Sequence, residues 1–299
     1  MSLIHQFALS AWPLSLPLAE TAPAAPNTAI AIFQGLILGL VQGITEFLPI
    51  SSTAHLIIFR DALGWKEIWS KEAIDGIQFG SVVAVVIYFW KDLQQIFGGT
   101  LAAWQDKDWQ REEWKIFLGI AIGCVPALAG GLAFKLLDIE LESATMIAVM
   151  SLVMAVLLGL AEKFGTRQRD FDQLETKDGI LVGLGQMVAL LPGASRSGST
   201  ITTALFLGLK RETAARFSFL LGLPTLAIAT VVQAKDVLTM PQMFLPLTFG
   251  IISTFVFSYL SIAWLLKFLQ KQSSWVFVWY RLAFGAALLA LTFGGLFTG

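Results

Sequence analysis

The sequence predicts an all-α integral membrane protein with about six transmembrane helices plus two re-entrant helix–turn–helix hairpins, arranged as an inverted-topology repeat. Composition gives the class. Of 299 residues, 56% are hydrophobic and only 14% charged, against roughly 25% charged in soluble domains. Mean hydropathy is +0.72, and a water-soluble chain of this length cannot hide so much apolar surface. The span count comes from apolar stretches near 74–91, 114–137, 143–163, 212–233, 242–270 and 276–297, each long enough to cross ~30 Å of hydrocarbon. The hairpins come from two further apolar regions, about 29–60 and 177–209. Each is broken at its centre, by Pro49-Ile50-Ser51-Ser52-Thr53 and by Pro192-Gly193-Ala194-Ser195-Arg196-Ser197-Gly198-Ser199-Thr200. Polar, irregular backbone is tolerated at membrane depth only where protein or water surrounds it, so each region is expected to turn back.

Residues 1–28 are unlike the rest. They contain Pro13, Pro17, Pro23 and Pro26 and no Lys or Arg, and the apolar run from Phe7 to Leu18 is cut by two of the prolines. That run is too short to span, and the basic start of a secretory signal is missing, so a loose or interfacial leader is expected. Residues 29–299 form a single membrane domain of two repeats, about 29–165 and 175–299. The two breaks resemble each other. Gly39-Leu40-Val41-Gln42 matches Gly183-Leu184-Gly185-Gln186, Leu48-Pro49 matches Leu191-Pro192, and Ser51-Ser52-Thr53 matches Ser195-Arg196-Ser197, with a spacing of 144 residues at the start and 143 at the proline. Each hairpin is followed by three spans. An odd number makes the second copy enter from the opposite side, which defines an inverted repeat.

Charge gives the orientation. With each hairpin returning to the side it left, one set of loops holds thirteen Lys and Arg and the other five, leaving Arg196 and Arg281 inside apolar regions. The positive-inside rule makes the richer side cytoplasmic. Hairpin 1 then opens to the outer side, hairpin 2 to the inner, and the breaks meet near the midplane.

Arg196 is the sharpest chemical feature. An arginine in an apolar hairpin costs several kcal/mol unless paired or hydrated. Ser195, Ser197, Ser199 and Thr200 surround it with hydroxyls, and Gly193 and Gly198 allow close backbone approach. A helix N-terminus, a guanidinium and hydroxyls together suit a phosphate; pairing of Arg196 with a carboxylate is the plainer alternative. Glu46 closes the first half-helix of hairpin 1, with Gln42 one turn earlier on the same face. A carboxylate at a helix C-terminus calls for a cation, either Arg196 or a divalent metal such as Mg²⁺ or Ca²⁺. His55 follows Ser51, Ser52 and Thr53, and a histidine near a serine suits general acid–base work; a structural histidine is the plainer alternative.

The strings GLVQGITEFLPISSTAH (39–55) and LPGASRSGST (191–200) closely resemble the undecaprenyl-diphosphatase family, also called bacitracin-resistance proteins. The resemblance runs from about residue 30 to the end. It implies hydrolysis of undecaprenyl diphosphate to the monophosphate in the bacterial plasma membrane, recycling the lipid carrier for peptidoglycan and other envelope polymers, with a divalent cation and a site open to the outer face. The family's acidic pair maps to Gln42 and Glu46, where the common form has Glu at the first place. Its serine and histidine map to Ser52 and His55, and its PGxSRSGxT motif to Pro192, Gly193, Ser195, Arg196, Ser197, Gly198 and Thr200. The implied mechanism has Arg196 hold the phosphates, assisted by Ser51, Thr53, Ser195, Ser197, Gly198 and Thr200. Glu46 with Gln42 binds the metal, Ser52 or a water attacks, and His55 shuttles the proton.

Other functions are excluded or remain as competitors. A net charge of −1 gives no footprint for nucleic acid. Cys124 as the sole cysteine excludes an intramolecular disulfide, a thiolate zinc cluster and a CxxC pair. A lipid-carrier flippase or secondary transporter also suits inverted repeats. A homo-oligomer stays open, since spacings such as Gly35 to Gly39 and Gly39 to Gly43 allow close helix approach without specifying a partner.

Overall fold

The computed structural model describes residues 27–294, apart from 138, 140 and 142. The leader reading lies almost wholly outside the described residues, as does the end of the last expected span. The first hairpin is α1 (Thr28–Phe47) and α2 (Ser52–Ala62). Then come α3 (Lys71–Ile77), α4 (Phe79–Tyr88), α5 (Trp90–Asp106), α6 (Glu112–Leu136) and α7 (Ala144–Phe164). The second hairpin is α8 (Thr176–Met187), a 3₁₀ turn (Val188–Leu190) and α9 (Arg196–Phe206), followed by α10 (Arg211–Leu238), α11 (Phe244–Lys271) and α12 (Trp275–Phe293).

Among the described residues six helices are long and apolar enough to cross a membrane: Thr28–Phe47, Glu112–Leu136, Ala144–Phe164, Arg211–Lys235, Pro241–Lys271 and Trp275–Phe293. The chain is an all-helical, multi-pass membrane protein. One expected span is different. The stretch 74–91 is not one straight helix, because Lys71–Tyr88 and Trp90–Asp106 meet at 66°. Phe89 leaves helical geometry (φ −96°, ψ 19°) where the sequence turns polar, and Asp92 forms an ion pair with Arg216 of α10. With this bent pair counted as one crossing, the spans among the described residues number up to seven, and the addition to the expected set is α1, the first arm of hairpin 1.

Glycines set how the hairpins dock. On α1, a Cβ at Gly35 would lie 2.6 Å from Pro246 O, one at Gly39 would lie 2.4 Å from Gly250 O, and one at Gly43 would lie 2.8 Å from Thr254 O and 2.7 Å from Ser258 N. So α1 runs parallel to α11 with no room for side chains between them, and ends about one turn beyond its middle. On α8, a Cβ at Gly179 would lie 2.3 Å from Gly119 Cα and one at Gly183 would lie 2.1 Å from Gly123 O, so α8 runs parallel to α6 in the same manner. Close backbone approach through small residues is the usual route to helix packing where lipid removes the hydrophobic drive. The GxxxG-like spacings are thus engaged within the chain.

Each hairpin doubles back. Arg169 donates to Asp178 Oδ1 near the start of α8 (2.8 Å) and to Leu207 O just past the end of α9 (3.1 Å), so both ends of hairpin 2 lie at one level. In hairpin 1, Trp69, beyond α2, returns to pack on Gly35 in a cluster with Leu38, Val41 and Leu56. A belt of ion pairs gathers at the α9–α10 end: Glu162 with Arg167 and Arg211, Lys210 with Asp170, and Arg216 with Asp92, its guanidinium 4.1 Å from the Phe171 ring centroid. Burial of Glu162 and Asp178 requires such partners. The Asp178 carboxylate in turn holds the Arg169 guanidinium above its ordinary pKa.

Candidate active site

Each break ends one helix and starts the next through a serine with a left-handed backbone, Ser51 at φ 75° and Ser195 at φ 71°. Such geometry costs about 1–3 kcal/mol at a non-glycine residue and persists where the surroundings over-determine it. Ser195 caps α9, its Oγ accepting from Gly198 N at 3.1 Å. Ser51 gives α2 no side-chain cap.

The two breaks meet at Glu46. Its Oε2 accepts from Ser52 Oγ at 2.7 Å and from Gln42 Nε2 at 3.0 Å, while Oε1 accepts from Arg196 Nη2 at 2.8 Å. Ser197 Oγ ties the breaks again by donating to Leu48 O at 2.9 Å. Glu46, Gln42, Ser52 and Arg196 therefore form one cluster from two hairpins 150 residues apart in sequence. Glu46 is buried and Arg196 largely so, with side-chain exposures of 7% and 16%. One guanidinium donor, Arg196 Nε, is buried without a partner.

The remaining expected site residues are distributed differently. His55 does not face the Ser52 hydroxyl. Its Nδ1 lies 2.7 Å from Ser51 O and its Nε2 lies 2.6 Å from Tyr280 Oη, with the ring stacked on Phe284 at 4.5 Å. A carbonyl only accepts, so Nδ1 carries a proton, and in the neutral ring Nε2 accepts from Tyr280 Oη. Thr53 is exposed at the start of α2. Ser195 Oγ and Ser197 Oγ are 3.2 Å apart and engaged with the break itself. Thr200 Oγ donates back to Arg196 O at 2.8 Å and meets Ser218 Oγ, away from the cluster. Gly198 is buried, its amide taken by the cap; a Cβ there would sit 3.0 Å from Arg281 Nη1.

For a divalent cation the donor set is one carboxylate, Glu46, with the Gln42 amide beside it. Among the described residues no group of three or more His, Cys, Asp and Glu is placed to hold a metal. Mg²⁺ is commonly held by one or two carboxylates plus substrate phosphates. The residues present fit a cation shared with a phosphate ligand, and do not fit a protein-only cage.

The comparisons agree with the motif geometry. The family described as Bacitracin resistance protein BacA matches residues 35–287. The chain belongs to this family. It is 62% identical over 255 residues to the undecaprenyl-diphosphatase of Thermosynechococcus vestitus, covering 85% of this chain and 93% of that one. It is 48% identical over 292 residues to the undecaprenyl-diphosphatase of Trichormus variabilis (93% and 91%), and 49% identical over 279 residues to that of a Synechocystis strain (90% and 85%).

Three contributors to the site escape sequence reasoning. Tyr280 and Arg281 lie in the last apolar span, where only the unusual charge of Arg281 was a signal. Gly222 of α10 had none. A Cβ there would lie 1.8 Å from Arg196 Nη1, so its bare backbone makes room for the guanidinium.

Proposed function

We infer that this chain hydrolyses undecaprenyl diphosphate to undecaprenyl phosphate and inorganic phosphate, recycling the lipid carrier of envelope polymers and opposing bacitracin. The observation that carries this reading is the Glu46 carboxylate, held at once by the Ser52 hydroxyl and the Arg196 guanidinium. It supplies nucleophile, base and anion binder at one point.

The diphosphate enters between the breaks while its polyprenyl tail stays in lipid. The unpartnered Nε of Arg196 donates to a phosphate oxygen, and the α2 N-terminus, open for lack of a side-chain cap, faces negative charge favourably. Glu46 takes the Ser52 proton. Ser52 Oγ bonds to the terminal phosphorus, and the bond from that phosphorus to the bridging oxygen breaks. Undecaprenyl phosphate departs with the electron pair and receives the proton from Glu46. Water, deprotonated by Glu46, then attacks the phosphoserine, and Ser52 recovers its proton as phosphate leaves. This is nucleophilic catalysis with an adjacent base, in a reaction governed by positioning and electrostatics. Glu46 and Gln42 would hold Mg²⁺ or Ca²⁺ jointly with the substrate; when bound, such a cation neutralises phosphate charge. His55 acts through the Ser51 carbonyl and holds the turn that presents Ser52.

The inverted repeat is part of the proposal. Its support is the paired docking of α1 on α11 and α8 on α6, with Gly39 at Gly250 and Gly183 at Gly123. By the positive-inside count, hairpin 1 opens to the outer face of the plasma membrane, from which the substrate arrives.

The test is phosphate release from a polyprenyl diphosphate by purified protein in detergent, with Mg²⁺ and with EDTA. Expected is metal-dependent release that falls about 10²–10⁴-fold in Glu46→Ala, the scale of a lost general base, and is lost in Arg196→Ala. Near-normal turnover in Ser52→Ala would transfer the attack to water. No release by folded wild type would overturn the phosphatase and favour lipid transport, which detergent abolishes.

A further inference from the structure

Arg281 lies in the first half of α12, 1% exposed, with no carboxylate among its hydrogen-bond partners. Its donors go to four backbone carbonyls. Nη1 reaches Pro49 O at 3.0 Å, Nη2 reaches Gly193 O at 2.8 Å and Ala194 O at 3.1 Å, and Nε reaches Ser151 O of α7 at 3.3 Å. Pro49 is in the first break, two residues before Ser51. Gly193 and Ala194 are in the second, directly before Ser195. A charge buried in a span and joined only to backbone is costly, and at this position it is joined to both turns that form the site.

We propose that Arg281 is a positioning residue for the phosphatase reaction, resting on the function read above: its guanidinium clamps the two breaks together so that Ser52 and Arg196 meet across Glu46. The fork has five N–H donors in fixed directions in one plane, which suits carbonyls arriving from separate segments. A trans peptide directs its N–H opposite to its C=O, so holding Ala194 O also sets the direction of the Ser195 amide, one residue before Arg196. The left-handed conformations of Ser51 and Ser195 need outside support, and a clamp on the peptides just upstream of both supplies it. Lysine retains the charge, yet it lacks the planar fork and reaches less far, so Arg281→Lys separates geometry from charge.

The experiment measures kcat and KM for phosphate release by wild type, Arg281→Lys and Arg281→Ala in detergent, with the folded fraction and melting temperature of each. Expected in Arg281→Lys is a kcat lower by about 100-fold, the scale of a misplacement near 1 Å, at a KM within a few-fold of wild type and an unchanged folded fraction. Expected in Arg281→Ala is recovery of about 10-fold in kcat on adding millimolar guanidinium, which a role confined to stability would not produce. Wild-type kcat in Arg281→Lys, a kcat that falls only with the folded fraction, or no rescue of folded Arg281→Ala would overturn the proposal. A folded wild type that releases no phosphate is a separate outcome; it overturns the phosphatase reading and removes the basis of this one.

Discussion

The three nitrogens of the Arg196 guanidinium have different surroundings. Nη2 is paired with Glu46, Nε is without a partner, and Nη1 lies against the bare Cα of Gly222. The approach of Nη1 to Gly222 makes Gly222→Ala informative. The new methyl meets the tip of a long side chain rather than backbone, so the guanidinium yields and the helix does not. We expect Gly222→Ala to change stability by about 1 kcal/mol or less, within the effect of a helical Gly→Ala replacement, while phosphate release falls at least 10-fold because Arg196 is pushed off Glu46. Parallel melting and turnover measurements check this; unchanged turnover would mean that Arg196 tolerates displacement. Much of the cluster was legible beforehand. Glu46, Ser52 and Arg196 are chemically conspicuous, since ionisable groups and hydroxyls are costly in apolar hairpins. What was not legible is which atom meets which. Ser52 and His55 are three residues apart in sequence, yet the left-handed Ser51 aims Ser52 at Glu46 while His55 turns to the Ser51 carbonyl and Tyr280. Gly222 carries no signal until the arginine opposite is located.

At the scale of elements, the hairpins were readable because proline, glycine and hydroxyl residues interrupt apolar runs at matching positions. Apolar length found the segment after hairpin 1 but not its bend. Residues 74–91 have the composition of a span, while the chain bends at Phe89, and Asp92, just beyond it, pairs with Arg216 more than a hundred residues away. Docking depends on glycine seams rather than on large apolar contacts. Gly39 and Gly183 face backbone carbonyl oxygens that no rotamer change can move. Gly39→Ala and Gly183→Ala are therefore each expected to destabilise by about 1–3 kcal/mol, the usual range for overpacking, and to lower the melting temperature in detergent. A methyl at either position shifts the arm that carries a break, so activity should fall as well. Gly98, where a Cβ would meet nothing within 4 Å, is the control: Gly98→Ala should melt no lower than wild type. Equal melting of Gly39→Ala, Gly183→Ala and wild type would show that the seams have slack.

For the whole molecule, the fold and the proposed direction draw on the same physics. Lipid offers no hydrogen bonds, so every broken backbone segment must be enclosed; two short hairpins answered by two long helices enclose both breaks between them. The Lys and Arg count carries the proposed direction. Lys107, Arg169 and Lys210 belong to the richer set and Lys66 and Lys135 to the poorer, and the ion-pair belt of Glu162, Arg169, Asp178 and Arg211 lies at the richer end. Single cysteines placed at Lys66 and Asp172 in a Cys124→Ala background test the direction in intact cells. Lys66→Cys, after α2, should react with a membrane-impermeant maleimide from outside. Asp172→Cys, in the loop between α7 and α8, should react only after permeabilisation. Cys124 is buried and donates to Leu221 O at 3.3 Å, so its removal should cost little beyond a weak hydrogen bond. The reverse pattern would place hairpin 1 on the cytoplasmic face and leave the diphosphate reaching Ser52 from inside. Labelling of both sites from one side would mean an even number of crossings between them, so that the bent pair Lys71–Tyr88 and Trp90–Asp106 returns to its own side rather than crossing, and the opposed entry of the two hairpins would be lost.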